Sequence, residues 1–184
     1  GLFQHDVNVL WDLAVHDLSI LDFVTNTMPV SVSATGMTYG PTDLASVAYL
    51  TLGYDMGMIA HVNVNWLSPT KMRRTVLGGD RKMIVMDDLD PSEKIRLYDK
   101  GVTFTDDSDS IHHMLVGYRV GDMWAPQVDD REALSRAIDQ FVAFIVDGTP
   151  PDSDGALGAR VVAIAEAADA SLAEGGTPVV PATA

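Results

Sequence analysis

Met58-Ile-Ala-His-Val-Asn-Val-Asn-Trp66 is the stretch on which the fold turns. Met58, Ala60, Val62, Val64 and Trp66 alternate with His61, Asn63 and Asn65, the period of two that a half-buried strand requires. Gly53-Tyr-Asp-Met-Gly57 supplies turn residues just before it, and residues 44–54 form another extended run, so the two runs read as a hairpin. Further out, Val30, Val32 and Ala34 alternate with Ser31, Ser33 and Thr35. Residues 72–77, 82–86 and 94–98 are three more short strands, separated by Gly78-Gly-Asp80 and Asp90-Pro-Ser-Glu93. Six strands with short connections predict a mainly antiparallel sheet.

Helical spacing flanks this middle. Leu10, Leu13, Ala14, Leu18, Leu21 and Val24 predict a mostly buried helix over 11–25, stopped near Pro29. Leu134, Ile138, Phe141, Val142 and Ile145 predict a second helix, ended by Gly148-Thr-Pro-Pro151. A third starts near Asp152-Ser-Asp-Gly155, carries Leu157, Val161, Ile164, Ala168 and Leu172, and ends at Gly175-Gly176. The class is therefore α+β: one open, mainly antiparallel six-stranded sheet with helices packed on one face, in a single domain over 1–176 with a flexible tail over 177–184. Residues 105–117, with His112-His113, read as a mobile, solvated loop. Ala48, Leu50 and Leu52 on one side of a strand and Val47 and Tyr49 on the other suggest that the second sheet face is buried in a homo-oligomer, a dimer or tetramer.

Acidic residues outnumber basic ones 26 to 12 in 184 residues, a formal charge of −14 that opposes nucleic acid and anionic lipid. No apolar run approaches the length of a membrane span. Cysteine is absent, which removes disulfides, thiolate nucleophiles and cysteine zinc sites and fits a cytoplasmic location. The chain opens on Gly1 and not on Met, and the natural N-terminus is expected upstream. No Gly-x-Gly-x-x-Gly follows a strand and opens a helix, and no P-loop, His-Glu-x-x-His or Gly-x-Ser-x-Gly occurs.

Asp12 and His16, four apart in Trp11-Asp-Leu-Ala-Val-His-Asp-Leu18, would share one face of an α-helix. A carboxylate there can orient an imidazole for proton transfer. The same pair could ligate a metal with His61 as a third ligand, or be a helix-capping Asp12 beside an ordinary half-buried His16. Asn65-Trp-Leu-Ser-Pro-Thr-Lys-Met-Arg-Arg74 sets Lys71, Arg73 and Arg74 beside an indole, a patch for a sugar phosphate with Trp66 facing a sugar ring, or for cross-strand ion pairs. Asn63 and Asn65 beside His61 suit hydroxyl recognition or a plain solvated face.

Five segments, in order, resemble the Gfo/Idh/MocA (glucose–fructose oxidoreductase/inositol dehydrogenase) family: Asp12-Leu-Ala-Val-His-Asp17, Asn65 to Arg73, Asp87-Asp-Leu-Asp-Pro-Ser-Glu-Lys-Ile95, Tyr98-Asp-Lys-Gly-Val102 and Asp152-Ser-Asp-Gly-Ala-Leu-Gly158. The branch resembled acts on sugars and nucleotide-linked sugars. The resemblance implies a C-terminal substrate-binding and oligomerisation domain, similar to that of glyceraldehyde-3-phosphate dehydrogenase. It implies an N-terminal Rossmann domain of about 100–150 residues, absent from this chain, that binds NAD or NADP. Carried over by position, His16 is the catalytic base and Asp12 the acidic residue four before it. Lys71 and Arg73 match the family's Lys-x-Arg and are expected to touch substrate or an adjacent subunit, Trp66 and Asn65 are read with them as substrate-binding residues, and no metal and no cofactor-binding residue is expected in this chain. Val15 stands where relatives often carry proline, and Asp139-Gln140-Phe141 where a His-Phe pair is common. The implied function is oxidation of a secondary alcohol of a sugar, cyclitol or nucleotide-sugar, with this chain inactive alone. The alternative is a non-catalytic sugar-binding or oligomerisation module.

Overall fold

The computed structural model describes residues 4–40, 42–104, 116–119, 121–129 and 131–183. They fall into two compact units, 1–69 with 136–184, and 70–135, where the sequence suggested a single domain. The α+β class and the antiparallel pairing hold. The six strands foreseen as one sheet are instead divided between two, three in each, and residues 101–104 and 116–119 form a third sheet among the described residues.

In the first unit, β1 (Ser31–Thr38), β2 (Ala45–Gly53) and β3 (Ile59–Asn65) form an antiparallel meander. The hairpin register pairs Leu50 with Val62 and with Ala34, so the even-numbered apolar residues of all three strands share one face. A π-helical turn, Leu10–Ala14, runs into α1 (Val15–Thr25), and α3 is Gly155–Ala173. Leu10, Ala14 and Leu18 meet Val161, Ile164 and Ala168 over Val32, Ala34, Leu50 and Leu52 in one continuous core. Gly36 permits the close seating of α3 on β1: a Cβ there would lie 2.9 Å from Leu172 Cδ1 and 2.8 Å from the Val47 carbonyl oxygen. Asp154 caps α3 by accepting from Leu157 N at 2.8 Å, as the Asp-Ser-Asp-Gly run predicts.

The opposite face of this sheet is mixed, with polar rows beside the exposed Met37 and Ile59. Ser33, Thr51 and His61 stand in one row, Thr35, Tyr49 and Asn63 in the next. Thr51 Oγ1 and His61 Nδ1 are 3.1 Å apart, and Tyr49 is exposed. Within the segment expected to fray, Val179 exchanges both backbone hydrogen bonds with Val32, at 2.8 and 2.9 Å, and so closes the outer edge of β1.

Across the core, Arg160 donates through Nε and Nη2 to both oxygens of Asp22, at 2.8 and 2.7 Å. The Asp22 side chain is 1% exposed, so α1 carries a buried charge whose compensation comes from α3. Burial, and then the Asp22 carboxylate, push the nearby Tyr54 hydroxyl up from the ordinary tyrosine value.

In the second unit, β4 (Arg74–Gly78), β5 (Met83–Asp87), β6 (Ile95–Tyr98) and β9 (Met123–Trp124) make an antiparallel sheet, and β7 (Gly101–Phe104) pairs with β8 (Val116–Arg119). β7, β8 and β9 carry no alternation that the sequence reading detected, and residues 105–115, including His112-His113, lie outside the described set. None of the described side chains of this unit is fully buried. α2 (Ala133–Asp147) begins at the end of this unit and continues in the first. Its stripe of Leu134, Ile138, Phe141, Val142 and Ile145 has the predicted spacing and is exposed throughout, Phe141 by 63%.

Removing one member of the Asp22–Arg160 pair should cost more than removing both. Arg160→Met leaves an uncompensated carboxylate. Asp22→Leu/Arg160→Met leaves none. Thermal melting of the three chains should place Arg160→Met clearly below both the wild type and the double variant. A double variant no better than Arg160→Met would contradict the account.

Candidate functional site

The segment that carries His16 is fixed at its start by Asn8. Asn8 Oδ1 accepts from Leu10 N at 3.0 Å and Trp11 N at 3.4 Å, satisfying amides that open the helix. Its Nδ2 donates to Asp169 Oδ1 at 2.6 Å, tying that start to α3. Asn8 was missed by the sequence reading, although an asparagine just before an apolar helical run is a recognisable cap.

The hydrogen bonding that follows is π-helical over Leu10–Ala14, so Asp12 and His16 are not related by a plain α-helical turn. Asp12 does not hydrogen-bond His16. Its Oδ2 accepts from the indole Nε1 of Trp66 at 2.7 Å, and its Oδ1 has no partner among the described residues. Asp12 is half-buried. His16 is exposed on the first turn of α1, and its ring has no hydrogen-bond partner among the described residues. The expectation that Asp12 holds the imidazole directly is thus corrected: the carboxylate is held by the sheet, and the imidazole is left open.

Trp66 is 5% exposed and belongs to the core cluster, so it does not present a face to a sugar ring. Its backbone N–H donates to the Ser46 carbonyl at 3.0 Å, anchoring it to β2. Asn65 is exposed at the end of β3 and turns its Oδ1 back to Leu67 N at 2.6 Å, a local turn bond. Among the described residues no three histidine, aspartate or glutamate side chains are grouped to hold a metal, and His61 pairs with Thr51.

Lys71 and Arg73 fall in the second unit. Lys71 is exposed and has no ion-pair partner among the described residues. Arg73 Nη1 lies 3.4 Å from Asp88 Oδ2, a half-exposed pair of the kind that holds weakly in water. Arg74 pairs more closely with Asp87 at 2.8 Å, and that hydrogen bond leads the causes that lower the Asp87 carboxyl. Asp90 is brought down to about 2 by the backbone amides of Glu93 and Ser92, with the Arg96 guanidinium also bonded to it. The cation patch therefore resolves into two arginines already paired and one lysine that is not. A depression in the same unit, lined by Gly79, Asp80, Arg81, Lys82 and Asp99, contains none of the candidate residues.

An open histidine on a helix laid over an antiparallel sheet, with a sheet-anchored carboxylate one turn before it, defines an α+β domain with a candidate acid/base site. Residues 4–85, which include Asp12, His16, Asn65, Trp66, Lys71 and Arg73, match the family model for the GFO/IDH/MocA C-terminal domain, so the resemblance is shown over that segment. No curated protein sequence matches the chain significantly.

Solved structures share the fold over nearly all of it. UDP-N-acetylglucosamine 3-dehydrogenase GnnA from Acidithiobacillus ferrooxidans is 23% identical with a TM-score of 0.72, covering 92% of this chain and 49% of its own. A structure described as an oxidoreductase from Magnetospirillum magnetotacticum MS-1 is 28% identical with a TM-score of 0.69, covering 91% and 51%. Levoglucosan dehydrogenase, in complex with NADH and levoglucosan, is 16% identical with a TM-score of 0.71, covering 97% and 51%. The chain thus spans about half the length of the structures it matches. No helix among the described residues is long and apolar enough to cross a membrane.

Asn8→Ala should lower the stability of the chain by about 1–2 kcal/mol, because it removes a cap and strips Asp169 of its donor. Chemical denaturation reads this directly. A loss below about 0.3 kcal/mol would show that the cap does not hold the segment.

Proposed function

We propose that this chain is the substrate-binding and proton-accepting domain of an NAD(P)-dependent dehydrogenase that oxidises a secondary alcohol of a sugar, cyclitol or nucleotide-sugar. The single observation that carries the reading is the family match over 4–85, which encloses, at position 16, an exposed imidazole with no hydrogen-bond partner among the described residues. An imidazole left open at a surface can accept a proton from a bound ligand without first breaking an internal bond. Solved structures of similar fold include UDP-N-acetylglucosamine 3-dehydrogenase GnnA and levoglucosan dehydrogenase in complex with NADH and levoglucosan.

In this reading His16 takes the hydroxyl proton as the carbinol becomes a carbonyl. Asp12 offers Oδ1 to a substrate hydroxyl while Oδ2 stays with Trp66. In the second unit, Lys71 and the weakly paired Arg73 are read as residues able to hold an anionic substituent such as a diphosphate. When bound, the nicotinamide supplies the hydride acceptor. The residues present offer no Gly-rich turn between a strand and a helix to cradle a dinucleotide, so the reading assigns NAD or NADP to an upstream Rossmann domain.

The whole enzyme is read as a cytoplasmic homo-oligomer. The second unit has a four-stranded sheet and no fully buried side chain among its described residues, and a single sheet layer needs a covering layer to be stable. The exposed apolar stripe of α2 supports a further covering partner as well.

In the full-length enzyme, His16→Ala should reduce kcat by roughly 10²–10⁴, measured by NAD(P)H absorbance with a panel of sugars and nucleotide-sugars. Normal turnover in the variant would remove His16 from the mechanism. Separately, the 184-residue chain should show no dehydrogenase activity and no micromolar heat of binding with NADH or NADPH in calorimetric titration. Micromolar binding to the chain alone would overturn the division of labour between domains.

A further inference from the structure

Two of the segments that carry the family resemblance meet in one bond. Asp12 lies in the π-helical turn that leads directly into the helix of His16, and Trp66 immediately follows β3. The indole Nε1–H and Asp12 Oδ2 are 2.7 Å apart, in the range of a charge-assisted hydrogen bond. Trp66 is buried to 5% exposure and tied to β2 through its backbone, so the donor is held rigidly. Indole nitrogen donates and cannot accept, so it can only hold the carboxylate as an acceptor. A half-buried carboxylate held by one oxygen loses its freedom to rotate, and the direction of its other oxygen, Oδ1, becomes fixed.

We propose that Trp66 is the positioning residue of the acid/base pair: by fixing Asp12 through Oδ2 it sets the direction of Oδ1 and the seat of the turn that presents His16. This deepens the functional reading above and rests on it. Trp66 touches no substrate in this account. It acts through Asp12, and the sheet thereby controls the geometry of a helix-borne site.

Two measurements test it. In the 184-residue chain, the Trp66 indole N–H resonance, assigned by its loss in Trp66→Phe, should shift and exchange faster with solvent in Asp12→Ala, which removes the acceptor. An indole signal indifferent to Asp12→Ala overturns the proposal. In the full-length enzyme, assayed with whichever sugar or nucleotide-sugar of the panel it turns over, Trp66→Phe should lower kcat roughly 10- to 100-fold while KM changes less than about threefold. Site-specific replacement of Trp66 by benzothienylalanine, which keeps the bicyclic shape and lacks the N–H, should reproduce that loss without the cavity.

The decisive comparison is the double variant. Trp66→Phe in an Asp12→Ala background should cost less than about threefold more in kcat, because both changes remove the same interaction. Additive losses, or full activity with benzothienylalanine, while His16→Ala is deficient, overturn the positioning role and leave the function standing. Normal turnover in His16→Ala overturns the functional reading, and this proposal with it.

Discussion

A buried charge governs how this molecule is assembled. Asp22 faces the core from α1, almost wholly removed from water, and among the described residues the Arg160 guanidinium of α3 compensates it, through two parallel hydrogen bonds. Such a pair adds little net stability over apolar side chains of the same size, but it discriminates strongly among arrangements. Any rotation or sliding of α1 against α3 would strand a carboxylate in the core. The helix that carries His16 therefore has one orientation relative to the sheet, and the acid/base geometry inherits it.

The same helix is secured at its other end by polar contacts of different origin. Asn8 closes the first amides and reaches Asp169 on α3, and Trp66 reaches Asp12 from the sheet. Between these fixed points lies a turn of π-helix, a geometry often found where function requires local departure from regular structure. Among the described residues the His16 ring has no hydrogen-bond partner, while Asn8, Asp22 and one oxygen of Asp12 are engaged. That contrast is why the functional reading centres on the imidazole. The second unit is built differently: its sheet gathers charged turns such as Asp87–Asp90 with Arg74 and Arg96, and no described side chain there is fully enclosed. Its stability on the present contacts is correspondingly low, which is why the functional reading gives it a covering partner.

Local patterning explains what was legible in the chain and what was not. The alternation in residues 58–66 marked β3, and its even-numbered side chains do line the core. Asp154 announced the start of α3, and the apolar periodicity of residues 10–25 announced the first helical segment. β7, β8 and β9 escaped because they are two to four residues long, too short for a period to register. Trp66 was read as a sugar platform because an indole beside cations suggests one. Its burial depends on Ser46 and Asp12, 20 and 54 residues distant, which no local window contains. The Asp12–His16 spacing assumed a regular α-helix, and the wide turn changed the partner of Asp12.

The amino-acid sequence by itself determined the class of the fold, the antiparallel hairpins, the three helices and the family to which residues 4–85 correspond, because each is encoded in periodicity, caps, turns and motif order along short stretches. Only the tertiary structure decided which polar groups satisfy one another: Asp22 with Arg160, Asn8 with Asp169, Trp66 with Asp12. These partners lie 54 to 161 residues apart, and hydrogen bonds select by distance and direction in space, to which spacing along the chain is blind.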